Sequence, residues 1–117
     1  MPLEIGYAGT ELRRRSVEAV LRGEKTTTSG LAEEEEPVHA GQRLALLDFD
    51  DEPIAIVEVL EARILPAGEL DLPFVRDEGE GFESLEDWRE AHERFFQRSI
   101  PDETLIDAIR IRVVERL

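Results

Sequence analysis

The 117-residue sequence has no cysteine, one lysine, one tryptophan, one tyrosine and two histidines. Without cysteine there can be no disulfide, no thiolate nucleophile and no sulfur-rich zinc site. With aromatics at 6% of residues, aliphatic side chains must fill most of the interior. The 41% hydrophobic content is enough for one modest core in a chain the size of one ordinary domain, so residues 1–117 are expected to form a single domain. No run approaches the ~20 apolar residues of a membrane span. The opening MPLEIGYAGTELRRR has no apolar run behind a basic segment, unlike a secretory signal. These absences make a cytoplasmic protein without a membrane partner the expectation. His39 and His92 are far apart and in unlike contexts, and there is no phosphate-binding glycine loop and no Ser-His-Asp order. Neither a metal nor a cofactor is therefore expected.

Charge is plentiful but one-sided. The 28 acidic and 14 basic residues give a formal charge of −14, which repels polyanions at long range and argues against non-specific nucleic-acid binding. The first 25 residues differ: Arg13, Arg14, Arg15, Arg22 and Lys25 slightly outnumber Glu4, Glu11, Glu18 and Glu24. Such a cluster reads either as a solvated helix face or as a local surface for phosphates.

Patterning divides the chain. LEIGY, 3–7, reads as a short strand or an extended lead-in. TELRRRSVEAVLRG reads as a helix, with Thr10 as N-cap, an apolar side at Leu12, Val17, Ala19, Val20 and Leu21, and Gly23 as its left-handed stop. KTTTSGL is rich in β-branched residues and reads as a strand entered directly from that stop. AEEEEPVHAGQ is a turn-rich acidic loop. Residues 43–49 and 54–65 read as two strands of a hairpin, and PAGELDLPFVRDEGEG as irregular chain. SLEDWREAHERFFQRS is the clearest helix: Ser84 and Asp87 make a capping box, and Leu85, Trp88, His92, Phe95 and Phe96 share one face. LIDAIRIRVVERL alternates as a half-buried strand. The sum is an α+β domain with about five or six strands and two main helices.

Two stretches carry candidate chemistry. In GEKTTTSG the lone lysine and several hydroxyls leave the end of a helix. An amine serves as base or nucleophile only where desolvation or nearby charge lowers its pKa; otherwise it is a solvated cation. Regular alternation would send Lys25 and Thr28 to opposite faces, so a site using both needs a turn, a bulge or a strand that starts late. In VRDEGEGFES, glycines alternate with Glu78 and Glu80, which either present a carboxylate into a cleft or form a solvated acidic turn. His92, between Trp88 and Phe95, is either a satisfied structural histidine or the edge of a pocket.

Taken in order, VLRGEKTTTS, EPVHAGQRLALLDFDDEPIAIVEV and FVRDEGEGFESLEDWREAHERFF resemble the ASCH domain family of the PUA-like superfamily, over about residues 6–115. The resemblance implies a small, strongly bent β-barrel flanked by helices, with a cleft between them. For function it implies three alternatives. Some members are similar to small amidohydrolases that deacylate N4-acylated cytidine; their catalytic lysine, threonine and glutamate fall on Lys25, Thr28 and Glu78, with Glu80 competing for the last role. Around them, Glu80, Phe82, Trp88, Arg89, His92 and Arg76 are expected to bind substrate, Trp88 or Phe82 by stacking on a base. Other members look like RNA-binding proteins or ribonucleases, which here would use Arg13, Arg14, Arg15 and Arg22 on phosphates. A non-catalytic sensor of a nucleoside or nucleotide is the third. The chain departs from the commoner form at Phe82, where an aspartate often follows EGEG, and in the short QRSIPDET before the last strand. Both border the expected cleft and bear on substrate size.

Overall fold

The apolar alternation near the C-terminal end becomes the spine of the molecule. The computed structural model describes residues 1–117. Along the chain come β1 (Pro2–Leu3), α1 (Glu11–Arg22), β2 (Thr27–Leu31), β3 (Arg43–Leu47), β4 (Pro53–Pro66), α2 (Leu72–Arg76), α3 (Leu85–Phe96) and β5 (Leu105–Arg116). The five strands form one mixed sheet in the order β1-β3-β4-β5-β2, antiparallel except for the parallel β1–β3 pair.

β5 holds two cores together. Ile106 and Ala108 point one way, into a core with Leu31, Phe74, Trp88 and Ile100. Ile109 and Ile111 have the opposite parity and enter a second core with Val17, Val20, Leu44 and Val57. The sheet is thus covered by α1 on one face and by α2 and α3 on the other. Register shifts at Ile56/Val57 and Val59/Glu61 bend the long β4–β5 ladder. The sheet is not closed into a barrel: β1 and β2 stay at opposite edges and do not pair.

The helix ends follow their local chemistry. Thr10 accepts a hydrogen bond from the Arg13 N–H, and Gly23 takes φ 80° at the end of α1. Ser84 caps α3 by accepting from the Asp87 N–H. Of residues 3–7, expected as a short strand or an extended lead-in, only Leu3 is in β1, because Gly6 and Gly9 turn the chain at positive φ towards α1. The short α2 was not expected in this proline-rich stretch. It forms because Asp71 caps the Phe74 N–H and Pro73 sits in the first turn, where its missing N–H costs nothing.

The arginine run divides. Arg14 and Arg15 are exposed, but Arg13 is buried. Its Nε donates to the Ile5 carbonyl at 2.8 Å, Nη2 to the Gly6 carbonyl at 3.0 Å, and Nη1 to the Asp48 carbonyl at 3.0 Å and Asp51 Oδ1 at 3.1 Å. This guanidinium ties the β1–α1 connection to the β3–β4 turn. The expectation that Arg13 meets phosphate is corrected, since its donors are spent inside the fold.

Candidate functional site

Lys25 lies between α1 and β2, because the strand starts late, at Thr27. The Lys25 N–H still bonds back to the Ala19 carbonyl, so the chain leaves the helix in a tight wrap. The side chain then enters the interior with only 2% exposure. Its Nζ donates to the Glu78 carbonyl at 3.2 Å and lies 3.6 Å from Glu78 Oε1 and 3.8 Å from Glu80 Oε2.

The loop after α2 is docked on this wrap. The Asp77 carbonyl accepts from the Thr26 and Thr27 N–H groups at 2.8 and 3.2 Å. The Thr27 hydroxyl donates to the Phe74 carbonyl at 2.8 Å. Gly79 has φ 71°, and a Cβ there would stand 2.8 Å from the Glu24 carbonyl oxygen. Only glycine lets the two backbones come this close, and that approach brings Glu78 to Lys25.

Glu78 is 1% exposed and bonded on one oxygen. Its Oε2 accepts from Trp88 Nε1–H and from the Ser29 hydroxyl, both at 2.8 Å, while Trp88 Nε1 is also 3.0 Å from Ser29 Oγ. His92 stacks on Trp88 with centroids 4.5 Å apart. Its Nδ1 lies 2.8 Å from the Trp88 carbonyl, which can only accept, so Nδ1 carries a proton. In the neutral ring Nε2 is then the free acceptor, 3.3 Å from Ser29 Oγ and 3.8 Å from Glu78 Oε1. Burial raises the Glu78 pKa above the usual carboxyl value, outweighing the opposing pull of Lys25, Ser29 and Trp88. Burial likewise lowers the His92 pKa, against the Trp88 carbonyl and Glu80, while Lys25 adds to the decrease.

A cleft of about 1030 Å³ opens over this group, and Lys25, Thr28, Glu78, Glu80, Phe82 and His92 all line it. Three residues expected there do not. Trp88 is fully buried beneath His92, so it holds the site from behind and cannot stack on a base. Arg89 pairs with Asp102 at 2.6 Å, and Arg76 is an exposed residue ending α2; neither reaches the cleft. Thr28 faces the cleft, but its hydroxyl takes no part in the bonds around Glu78. The hydroxyl that does belongs to Ser29, which sequence reasoning passed over. Its signal was parity: a strand beginning at Thr27 puts Thr27 and Ser29 on one face and Thr28 on the other.

The ASCH domain model matches residues 5–113. The chain belongs to the ASCH domain family. Among solved structures, protein EF3133 from Enterococcus faecalis V583 is similar at 28% identity and TM-score 0.82, over 97% of this chain and 75% of that one. An ASCH domain from Lactobacillus crispatus JV V101 is similar at 25% identity and TM-score 0.73, over 87% and 72% of the two chains. Hypothetical protein PH0355 shares the fold at 18% identity and TM-score 0.68, over 97% and 100%. No curated protein matches the sequence. The open α+β sheet with its helices is thus a PUA-like fold.

The rim of this ASCH cleft is mainly acidic. Glu4, Glu34, Glu35, Glu36 and Asp107 line it together with Arg15, Arg22 and Arg94. Glu35 lies over Gly30, which pairs with Asp107. Burial raises the pKa of both carboxyls, and for Glu35 the nearby Asp107, Glu34 and Glu4 add to the effect. Of the exposed arginines near α1, Arg22 pairs with Glu24 and Glu18, and Arg14 stacks over the Phe49 ring. No helix is long and apolar enough to cross a membrane.

Proposed function

We propose that this ASCH domain is a small amidohydrolase that removes an acyl group from the exocyclic nitrogen of a modified pyrimidine nucleoside such as N4-acetylcytidine. The observation that carries the reading is the buried amine–carboxyl pair, Lys25 and Glu78, at the floor of a cleft large enough for a nucleoside. Lys25 acts as base towards a water that attacks the acyl carbon, or towards the Thr28 hydroxyl, whose acyl ester a second water then hydrolyses. Glu78, whose protonated form burial favours, delivers a proton to the departing amine. The cytidine leaves with its amine restored, and the acyl group leaves as a carboxylate. Positioned acid–base groups of this kind supply rate factors of roughly 10²–10⁴. Phe82 at the cleft wall contacts the base, and Glu80 holds Lys25 from the solvent side.

The acidic rim favours an uncharged nucleoside over its 5′-phosphate. The same rim, the committed Arg13 and the paired Arg22 weigh against an RNA surface built on the N-terminal arginines. The test is release of acetate from N4-acetylcytidine by purified protein, with Lys25→Ala as control. Turnover by the wild type and its loss in Lys25→Ala are expected. Absence of wild-type turnover, or undiminished turnover by Lys25→Ala, overturns the reading. Thermal stabilisation by nucleosides without turnover would identify a sensor. Tight, steeply salt-dependent binding of short RNAs would identify an RNA-binding module.

A further inference from the structure

Glu78 has a supply problem. Each catalytic cycle takes a proton from a carboxyl group that is 1% exposed and enclosed by Lys25, Ser29 and Trp88. Lys25 gains a proton from the nucleophile in the same cycle and lies 3.6 Å from Glu78 Oε1, so what the buried pair still needs is a path on which its proton count equilibrates with the cleft. One neighbour of Glu78 touches a second titratable group that does reach the cleft. Ser29 Oγ lies 2.8 Å from Glu78 Oε2 and 3.3 Å from His92 Nε2, and the His92 side chain is 12% exposed.

From this geometry we infer that Ser29 and His92 form a proton relay between the cleft and Glu78, with His92 as the outer port and the Ser29 hydroxyl as the link. The inference rests on the amidohydrolase reading for its purpose, though not for its geometry. Three features make the path directional. The Trp88 carbonyl fixes the proton on His92 Nδ1, so the other nitrogen, the one facing Ser29, exchanges protons. The Trp88 indole N–H donates towards both Ser29 Oγ and Glu78 Oε2, so the hydroxyl is held as donor to one of two acceptors, Glu78 Oε2 or His92 Nε2. Stacking on Trp88 keeps the ring in place. The transfer balances with one proton and no change in electrons. His92 Nε2 takes a proton from water in the cleft. It passes that proton to Ser29 Oγ as the original hydroxyl proton moves to Glu78 Oε2. Ser29 ends as a hydroxyl, His92 as neutral imidazole and Glu78 as a carboxylic acid. The 3.3 Å step is long for a transfer, and such contacts tighten when a substrate closes the site. Ser29 and His92 are positioning residues, acting through Glu78 rather than on substrate.

The charged groups facing His92 are Lys25 before β2 and Glu78 and Glu80 on the loop after α2, so its titration must be followed with each accounted for. The experiment uses full-length protein with ¹⁵N-labelled histidine, read by NMR across pH. The wild type is expected to show His92 as the Nδ1–H tautomer, with a step in the Nε2 signal as Glu78 titrates. The step should vanish in Glu78→Gln, shrink in Ser29→Ala to what the direct 3.8 Å contact with Glu78 Oε1 sustains, and persist in full in Ser29→Thr, while the buried Trp88 indole signal reports folding in each variant. A step undiminished in Ser29→Ala, or the Nε2–H tautomer in the wild type, overturns the relay. In turnover assays, Ser29→Ala and His92→Gln should each lower kcat about tenfold or more with KM within twofold, and imidazole should restore part of the activity of His92→Gly. Unchanged kcat in both variants also overturns it. If the wild type does not hydrolyse N4-acetylcytidine at all, the functional reading fails, and the NMR coupling alone decides the relay.

Discussion

Arg13 and Lys25 stand at the two ends of α1, both buried, and they are opposites. Arg13 spends its guanidinium on three backbone carbonyls and one carboxylate at 2.8–3.1 Å. Lys25 has one carbonyl at 3.2 Å and two carboxylates beyond hydrogen-bond distance at 3.6 and 3.8 Å. Arg13 is a clamp, with a planar fork matched to fixed acceptors. Lys25 is a buried amine with one hydrogen-bond partner, beside a carboxyl that burial pushes towards its neutral form. Burial of a cation therefore says little until its partners are counted: full satisfaction marks architecture, and partial satisfaction beside a cleft marks chemistry.

Substitutions can break that contrast. The largest effect is expected from Arg13→Met, which leaves the Ile5, Gly6 and Asp48 carbonyls without their donor. Stability should fall by about 3–5 kcal/mol in urea unfolding, with kcat per folded molecule retained. Arg13→Lys should rescue little, because one ammonium cannot span these acceptors. Lys25→Met should do the reverse. Hydrolysis should fall by roughly 10²–10⁴. Its stability should fall by less than that of Arg13→Met, because methionine keeps the buried stem and gives up one hydrogen bond rather than four. Equal stability losses in the two variants would dissolve the distinction.

Gly79→Ala sharpens it from the other side. A Cβ at φ 71° and 2.8 Å from the Glu24 carbonyl forces the loop away from Lys25. We expect about 1–3 kcal/mol of destabilisation and a lower kcat, measured on the same samples. The smallest effect is the slope of stability with pH. His92 binds a proton less readily folded than unfolded, because burial lowers its pKa. As pH falls below the unfolded value of about 6.5, the unfolded chain takes up that proton first and stability drops, levelling below the folded pKa. Glu78 acts in the opposite sense: its raised pKa makes the folded chain hold its proton longer, so stability falls as pH rises above the unfolded carboxyl value. His92→Asn should flatten the first limb and leave the second.

Much of the frame could be read from the sequence. The Thr10 and Ser84 caps, the Gly23 stop, the β3–β4 hairpin and the alternation of β5 all rest on local rules and stand in the structure. The misreadings share a cause: they depended on partners distant in sequence. Arg13 turns inward because carbonyls at Ile5, Gly6 and Asp48 converge on it, and nothing within the RRR run encodes that. Trp88 was expected at the cleft, yet helix periodicity gives its face without giving its depth. Ser29 shares the parity of Thr27, but the partners that give it a role, Glu78 and Trp88, are distant in sequence. Lys25, Glu78 and Glu80 were singled out by unusual local composition and a family pattern, and the structure brings all three together.

One consequence lies in the edge position of β2. Its sole strand neighbour is β5, paired from Thr27↔Arg110 to Leu31↔Ile106. Ser29 lies within this pairing and Lys25 just before it, so neither can outlive it. Any opening event that peels β2 from β5 would loosen the amine and the hydroxyl together, since Lys25 immediately precedes that ladder and Ser29 lies inside it. The residence time of the assembled site is then set by the unzipping of one ladder, and its amides should exchange with solvent as a single cooperative unit.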